Sequence, residues 1–362
     1  MRSALILAGG RGERFWPWSR PGHPKQLLPL AEGKVLLSAT LERLDGLIPP
    51  ETTWILTGPE LAPRVRALVG ERARVVEEPV GRNTAPEVGF AALLAEAASA
   101  RDGMAVLASD HLIQDLAAFR TDLTRALELA ETTHRLVTFG VPPTRAETGY
   151  GYIERGAALG PERAYEVKAF REKPDFATAE RYVASGRHYW NTGMFAWRPA
   201  AVLEALDRHR PALGKGVHAL QKAAQAFVAG RPAAKEDALE HRFPALESVS
   251  IDYAVMEHAT NAAMIEASFD WDDLGSWTAW ARRQARDQRG NATSGRAVAI
   301  DSDDCVVFGG GGRPVVVLGG KGLIVIEHEG GTLVCPIERA DEVRKAVIEL
   351  DARGWLVEGT AR

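Results

Sequence analysis

The sequence predicts an α/β chain, a doubly wound and mostly parallel sheet covered by helices, with a small β-rich segment after it. Three observations predict it. Over roughly the first 140 residues, short β-like runs alternate with helical stretches, as in sheets whose strands are joined by helical crossovers. Glycines and charged residues follow the first run at once, where an open α/β sheet receives its ligands. Far downstream, valine-rich segments recur about every nine residues between glycines and charges, the mark of short strands at even spacing.

The runs Ser3–Leu7, Thr53–Leu56, Arg74–Glu77, Met104–Ala108 and Leu136–Gly140 read as strands. Between them Glu60–Val69, Thr84–Ala100 and Leu116–Thr132 read as helices, the second rich in Ala, Leu and Glu. From Tyr150 to Trp197, glycine, aromatic and β-branched residues indicate extra strands that finish the sheet or build a pocket wall. Ala200 to Glu257 reads mainly helical. The polar run Gln284–Asn291 reads as a boundary, giving domains at 1–285 and 286–362. In the second, segments centred near Val298, Val307, Val316, Val325 and Val334 suggest a small β-solenoid or sandwich, closed by a helix over Ala340–Ala352.

A chain of 362 residues suits two domains. At 46% hydrophobic and 25% charged, it is ordinary globular material rather than disordered, collagen-like or fibrous. With 44 basic and 48 acidic residues, the net charge of −4 supplies no global field for nucleic acid or anionic lipid. An anionic ligand must therefore be held by local groups. Cys305 and Cys335 frame no disulfide scaffold and no metal site, which points to a reducing compartment. The short apolar run Ala4–Ala8 is neither a signal peptide nor a span. A cytoplasmic protein without membrane or nucleic-acid partners is expected.

The strongest chemical signal is Ala8-Gly9-Gly10-Arg11-Gly12-Glu13-Arg14, followed by Trp16-Pro17, Ser19-Arg20 and Pro24-Lys25-Gln26. Glycines at a strand end let backbone N–H groups close around phosphate oxygens, and Arg14 and Lys25 supply compensating charge. The loop is neither a Walker A sequence nor a dinucleotide fingerprint, which disfavours a kinase or a dehydrogenase. Next come Glu77-Glu78-Pro79 and Gly81-Arg82-Asn83-Thr84-Ala85-Pro86, where Asn83 is a natural N-cap and Thr84 and Pro86 suit a first turn. Ser109-Asp110-His111 follows the strand Met104–Ala108, so Asp110 stands where a carboxylate could hold a hard cation against phosphates. A second acidic pair, Asp272-Asp273, precedes a glycine turn in Trp271–Trp277. Three further strings, Gly149-Tyr150-Gly151-Tyr152-Ile153, Phe170-Arg171-Glu172-Lys173-Pro174 and Trp190-Asn191-Thr192-Gly193, combine turns with polar groups. Ser250–Glu257 fits a core helix and is assigned no chemistry.

Taken in order, these strings resemble the sugar-1-phosphate nucleotidylyltransferases, and within them the mannose-1-phosphate guanylyltransferases, over roughly residues 3 to 280. Phe15 and Trp18 depart from the family pattern, where leucine is common. The resemblance implies a Rossmann-like mixed sheet of nucleotidyltransferase type and a short left-handed β-helix at the C-terminal end. It implies that Ala8, Gly9, Gly10, Gly12, Arg14, Glu78, Asn83, Thr84, Pro86 and Ser109 contact the nucleotide. Gly151, Glu172, Lys173 and Asn191 would hold the sugar phosphate, while Arg14, Lys25 and Lys173 would carry catalysis. Asp110 and Asp273 would be the magnesium ligands, with Asp272 the less suited of its pair.

The reaction so implied converts GTP and mannose 1-phosphate to GDP-mannose and pyrophosphate by magnesium-assisted in-line displacement, with no covalent intermediate. It needs no general base, because a phosphate monoester is already largely dianionic near neutral pH. The lack of a Ser/His/Asp or Cys/His arrangement suits this. A thymidylyl- or uridylyltransferase would share the glycine loop and the Asp pair but not the Trp-Pro and Arg-Asn-Thr-Ala-Pro strings. A regulatory subunit would have no need of the charged set Arg14, Lys25, Asp110, Lys173 and Asp273. A homodimer formed through the C-terminal segment is expected. No cupin-like isomerase segment follows, so mannose-6-phosphate isomerase activity is expected to be absent.

Overall fold

A computed structural model describes residues 1–160, 163–231 and 237–356. They form two compact units. The first comprises Met1–Gly9, Thr40–Ser109 and Ile113–Trp271, and the second Gly10–Ala39, Asp110–Leu112 and the chain from Asp272 onward.

The first unit is built on nine strands: β1 (Ser3–Leu7), β2 (Thr53–Thr57), β3 (Arg74–Glu77), β4 (Met104–Ala108), β5 (Leu136–Val141), β6 (Tyr152–Ala158), β7 (Ala164–Arg171), β8 (His188–Trp197) and β9 (Ala262–Glu266). Their order in the sheet is β3-β2-β1-β4-β8-β5-β9-β7-β6. The neighbours β1–β2, β2–β3, β1–β4 and β5–β9 are parallel. The sheet becomes mixed because β8 inserts antiparallel between β4 and β5. All five strands expected in the first 140 residues form. Ala4–Ile6 and Trp54–Leu56 are buried on both faces, as continuous apolar runs in a covered parallel sheet must be.

The chain's first helices are α1 (Leu36–Glu42), α2 (Ala62–Val69), α3 (Thr84–Ala97) and α4 (Leu116–Thr133). Helix α2 starts two residues later than expected, because the amides of Leu61 and Ala62 close a turn onto the Gly58 carbonyl. Helix α3 stops at Ala97 rather than Ala100, where Ser99 turns left-handed at φ 57°. Every residue from Ala85 to Ala95 of α3 is buried. The reason is that α3 is covered by β1 and β4 and by three of the helices that follow: α5 (Phe176–Ser185), α6 (Pro199–His209), α7 (Pro211–His218), α8 (Gln221–Val228) and α9 (Asp237–Arg242). Of these, α6, α7 and α8 pack on α3. The middle of the chain is thus helical as expected, with 232–236 outside the described residues. Ser250–Glu257 does not form a regular core helix; Asp252–Met256 winds as a single π-turn.

In the second unit, α10 (Trp277–Arg282) leads into β10 (Ala292–Gly295), β11 (Ala297–Ile300), β12 (Val306–Gly309), β13 (Val315–Leu318), β14 (Leu323–His328) and β15 (Gly331–Pro336). Strands β10, β12 and β14 stack in parallel, as do β11 and β13, and β15 folds back antiparallel on β14. Parallel stacking of successive turns is a β-helix rather than a sandwich. A 3-10 stretch, Ile337–Glu342, precedes α11 (Val343–Ala352). The last six residues, 357–362, lie outside the described residues. Phe15 and Trp16 from the glycine-loop segment share one apolar cluster with Trp277, Phe308, Ile324 and Ile326. The phosphate-type loop of this unit therefore rests on the β-helix. Among the described residues no helix is long and apolar enough to cross a membrane.

Candidate active site

In the first unit the parallel strands end together. The amides of Ala8, Glu78 and Ser109 bond to the carbonyls of Leu56, Thr57 and Leu7 at 2.9, 3.0 and 3.1 Å. Each continues its ladder one residue beyond the strand, so Ala8, Gly9, Glu78 and Ser109 leave the sheet along its carboxyl edge. Asn83 caps α3 as expected, at φ 64°, with Oδ1 accepting from the Thr84 amide at 2.8 Å. Pro86 lies in the first turn, and the Thr84 hydroxyl accepts from the Ile251 amide at 2.9 Å.

Glu78 is buried against a second carboxylate, Glu87, in the opening turns of α3. Burial drives both carboxyls above the ordinary range, and the two side chains hydrogen-bond each other. Two adjacent buried carboxylates cannot both ionise, so the pair shares one proton. Glu78 Oε2 is buried with no hydrogen-bond partner. The sequence reading singled out Glu78 but not Glu87. Its signal was an acid set among the apolar residues Ala85, Val88, Phe90 and Ala91 of the same helix.

A second group in this unit gathers the acceptor-type residues. The Asn191 amide bonds to the Gly151 carbonyl at 2.8 Å, and the Lys173 amide to that of Tyr150 at 3.2 Å. A Cβ on Gly151 would come within 2.5 Å of Glu172 Oε2 and 3.3 Å of Asn191 Cβ, so only glycine lets the backbone approach here. Lys173 Nζ lies 3.2 Å from Glu172 Oε1. Burial raises the Glu172 carboxyl against the opposing pull of Lys173. Two acids from the Ser250–Glu257 segment, which the sequence reading left without chemistry, join the group. Asp252 Oδ1 accepts from Asn191 Nδ2 at 2.9 Å, and Glu257 Oε1 accepts from the Glu172 amide at 3.1 Å.

The second unit assembles the remaining candidates. Gly12 sits at φ 62°, and a side chain there would run into Lys25. Ser19 Oγ donates to the Gly12 carbonyl at 2.7 Å and Gln26 Nε2 to that of Gly10 at 3.0 Å, which holds the loop's shape. Arg14 is exposed. Lys25 is only 6% exposed; its ammonium lies 2.8 Å from Asp110 Oδ2 and also donates to the Asp273 carbonyl. Burial pushes the Asp110 carboxyl up, but the charges of Lys25 and His111 outweigh it and hold the group below its usual range. The Asp273 carboxylate accepts from the Gly275 amide at 3.0 Å. Asp272 is occupied otherwise, accepting from the Leu274 amide at 2.8 Å and lying 3.7 Å from Arg282. Among the described residues no group of three or more His, Cys, Asp or Glu is arranged to hold a metal by itself. Lys25, Asp110 and Asp273 thus converge in one unit, and Glu78, Asn83, Thr84, Ser109, Gly151, Glu172, Lys173 and Asn191 belong to the other.

Residues 3–289 match the nucleotidyl transferase family, and residues 295–350 match the MannoseP isomerase/GMP-like beta-helix domain. The chain is similar to the xanthan biosynthesis protein XanB of Xanthomonas campestris pv. campestris (strain B100), at 38% identity over 355 residues, 97% of this chain and 73% of that protein. It is 36% identical over 359 residues to the mannose-1-phosphate guanylyltransferase of Escherichia coli (strain K12), again covering 97% of this chain and 73% of the relative. A solved structure from Thermus thermophilus, described as a mannose-1-phosphate geranyltransferase, matches with a TM-score of 0.83 and 38% identity, covering 97% of this chain and 99% of that one.

Proposed function

The chain belongs to the nucleotidyl transferase family, among the mannose-1-phosphate guanylyltransferases, and on that premise we propose that it makes GDP-mannose from GTP and mannose 1-phosphate by a single in-line displacement. A phosphate oxygen of mannose 1-phosphate attacks the α-phosphorus of GTP. The bond from that phosphorus to the oxygen bridging it to the β-phosphate breaks, and pyrophosphate leaves with the electron pair. Both reactants are anions, so the work of the protein is positioning and charge compensation.

One observation carries this reading: the buried Lys25 ammonium pinned by Asp110 and the Asp273 backbone beside the Gly10–Gly12 loop. A buried lysine held there keeps a positive charge fixed before substrate arrives, which avoids reorganisation when phosphate charge shifts. The exposed Arg14 is free to swing onto the triphosphate. Ala8, Gly9, Gly10 and Gly12 bring backbone amides to it, and Ser109 contacts the nucleotide. Glu78, Asn83, Thr84 and Pro86 receive the guanine base. On the acceptor side Glu172, Asn191 and the Gly151 backbone bind sugar hydroxyls, and Lys173 holds the sugar phosphate.

Asp110 and Asp273 fit a magnesium ion. The Asp110 carboxylate is a hard donor already facing a cation, the Lys25 ammonium, which also binds the Asp273 backbone carbonyl, and two carboxylates plus substrate phosphates are the usual magnesium set. When bound, the ion would offset phosphate charge as a Lewis acid.

Two further assignments belong to this reading. The in-register pair β11–β13 presents Val298, Ile300, Val316 and Leu318 outward, Leu318 being 72% exposed; we assign this apolar face to a homodimer contact. Cys305 and Cys335 are unpaired thiols, in keeping with a cytoplasmic location.

The displacement is tested with GTP made chiral at the α-phosphorus by sulfur and isotopic substitution. Inverted configuration in the product supports one direct displacement. Retention would mean an even number of displacements and a covalent intermediate, and would overturn the mechanism.

A further inference from the structure

The π-turn Asp252–Met256 is the part of the first unit that the proposed chemistry leaves unused. A π-turn is rare and frequently marks a functional site. Here the Ile251 amide is tied to the Thr84 hydroxyl at 2.9 Å, while Ala254, Val255 and Met256 are buried in the core. The turn thereby fixes Asp252 beside Asn191, whose amide donates Nδ2–H to Asp252 Oδ1 at 2.9 Å. At its other end Asn191 Oδ1 lies 2.8 Å from the Thr138 hydroxyl, which has the Met194 carbonyl as its other acceptor at 3.1 Å.

An ionised Asp252 carboxylate can only accept, so it turns Nδ2 of the Asn191 amide toward itself and leaves Oδ1 facing the Thr138 hydroxyl. One amide hydrogen and one oxygen lone pair are left over. Three acids, Glu172, Asp252 and Glu257, meet here with one base, Lys173. Such an excess of half-buried carboxylates is costly to a core that needs only packing. It is well matched to a polyol, whose hydroxyls donate to carboxylates and accept from an oriented amide.

We propose that Asp252 is a positioning residue for the acceptor sugar, holding the Asn191 amide in the orientation that reads a hydroxyl of the sugar 1-phosphate. The inference rests on the nucleotidyl-transfer reading and adds to it a residue and a mode of selectivity. Burial, and then the charge of Glu172, push the Asp252 carboxyl up to about 7, so ionising it at this point is costly. Asp252 acts through Asn191, and its loss should fall on one substrate alone.

The test is steady-state kinetics of Asp252→Ala, Asp252→Asn, Asn191→Ala and the Asp252→Ala/Asn191→Ala double variant. The acceptor is whichever sugar 1-phosphate the wild-type chain turns over best. Asp252→Ala should raise the acceptor KM about tenfold, the loss of one charge-assisted hydrogen bond, with kcat and the GTP KM changed less than twofold. Asp252→Asn, whose carbonyl still accepts from Asn191, should recover most of the loss. The double variant should be no worse than Asn191→Ala alone. Additive losses, or equal increases in both KM values, would overturn the inference. If Asp252→Ala loses its cooperative unfolding transition, Asp252→Ser, too short to reach Asn191, replaces it in the cycle. A preference for a sugar other than mannose leaves the inference standing while correcting the proposed substrate. A wild-type chain that turns over no sugar 1-phosphate overturns both.

Discussion

The Lys25 ammonium lies 2.8 Å from Asp110 Oδ2 and donates at the same time to the carbonyl of Asp273, although the two aspartates are 163 residues apart in sequence. One buried cation thus ties the Asp110 carboxylate to the backbone of Asp273, whose own carboxylate accepts from the Gly275 amide. The arrangement explains why a lysine is buried at all, since an unpaired ammonium could not be.

Lys25→Ala should lower kcat by about a hundredfold or more, the usual scale for removing one preorganised electrostatic group, and should raise neither KM to a comparable degree. Single-turnover and steady-state rates of pyrophosphate release check this. An unchanged kcat with a raised KM would recast Lys25 as a binding residue.

If Asp110 and Asp273 hold magnesium as proposed, Asp110→Asn and Asp273→Asn should each remove magnesium-dependent turnover while keeping a folded circular dichroism spectrum, because each change removes a charge and almost no volume. Asp110→Asn should also lower Tm, since it leaves the buried Lys25 ammonium without its carboxylate. Asp272→Asn should keep most activity, since its side chain serves the Leu274 turn and Arg282. Magnesium titrations of the three variants separate these roles. Activity lost in Asp272→Asn but kept in Asp273→Asn would exchange the two.

The Glu78–Glu87 pair makes stability depend on pH. Both carboxyls are raised in the folded chain by burial, so the folded state binds more protons than the unfolded one above the ordinary carboxylate range. Their contribution is therefore fully present at low pH and is lost as pH rises through the raised values toward and past neutrality. Glu87→Gln, which can still donate to Glu78 but cannot ionise, should flatten the fall in Tm between pH 5 and pH 8 by about 1–2 °C, as about 1 kcal/mol would do in a chain of this size. Thermal unfolding across that range measures it; an identical slope in the two proteins would contradict the shared proton.

Substituting Val316 and Leu318 by lysine should yield a monomer that keeps its activity, because both side chains point outward from β13. Cutting the chain at Asn291 should do more harm. It removes Phe308, Ile324 and Ile326 from the cluster that also holds Phe15, Trp16 and Trp277, so the glycine loop loses its support along with any dimer. Light scattering and turnover on both proteins decide this. A dimer surviving the lysine substitutions would remove the role assigned to this face.

How far the sequence was legible follows from the range of each interaction. The strands β1 to β5, the Asn83 cap and the stacked valine segments are local patterns, and they can be read from a dozen residues at a time. The Lys25–Asp110–Asp273 group was reached only through a family resemblance, because nothing local joins a lysine in one segment to an aspartate hundreds of residues later. Asp252 and Glu257 escaped because their neighbours Ile251, Ala254, Val255 and Met256 carry a convincing core pattern. A helix reading accounts for those apolar residues and says nothing about two acids at its ends. Glu87 escaped for a similar reason, as an acid in a helix's opening turns is ordinarily a favourable partner for the dipole.

Pyrophosphate release across a panel of nucleoside triphosphates and sugar 1-phosphates with magnesium decides whether GTP is paired with mannose 1-phosphate. A site that hydrogen-bonds one base leaves buried groups unpaired with another. The highest kcat/KM should therefore belong to GTP with mannose 1-phosphate, by at least about tenfold over any other pair. A higher value for UTP or dTTP with any sugar 1-phosphate would contradict it.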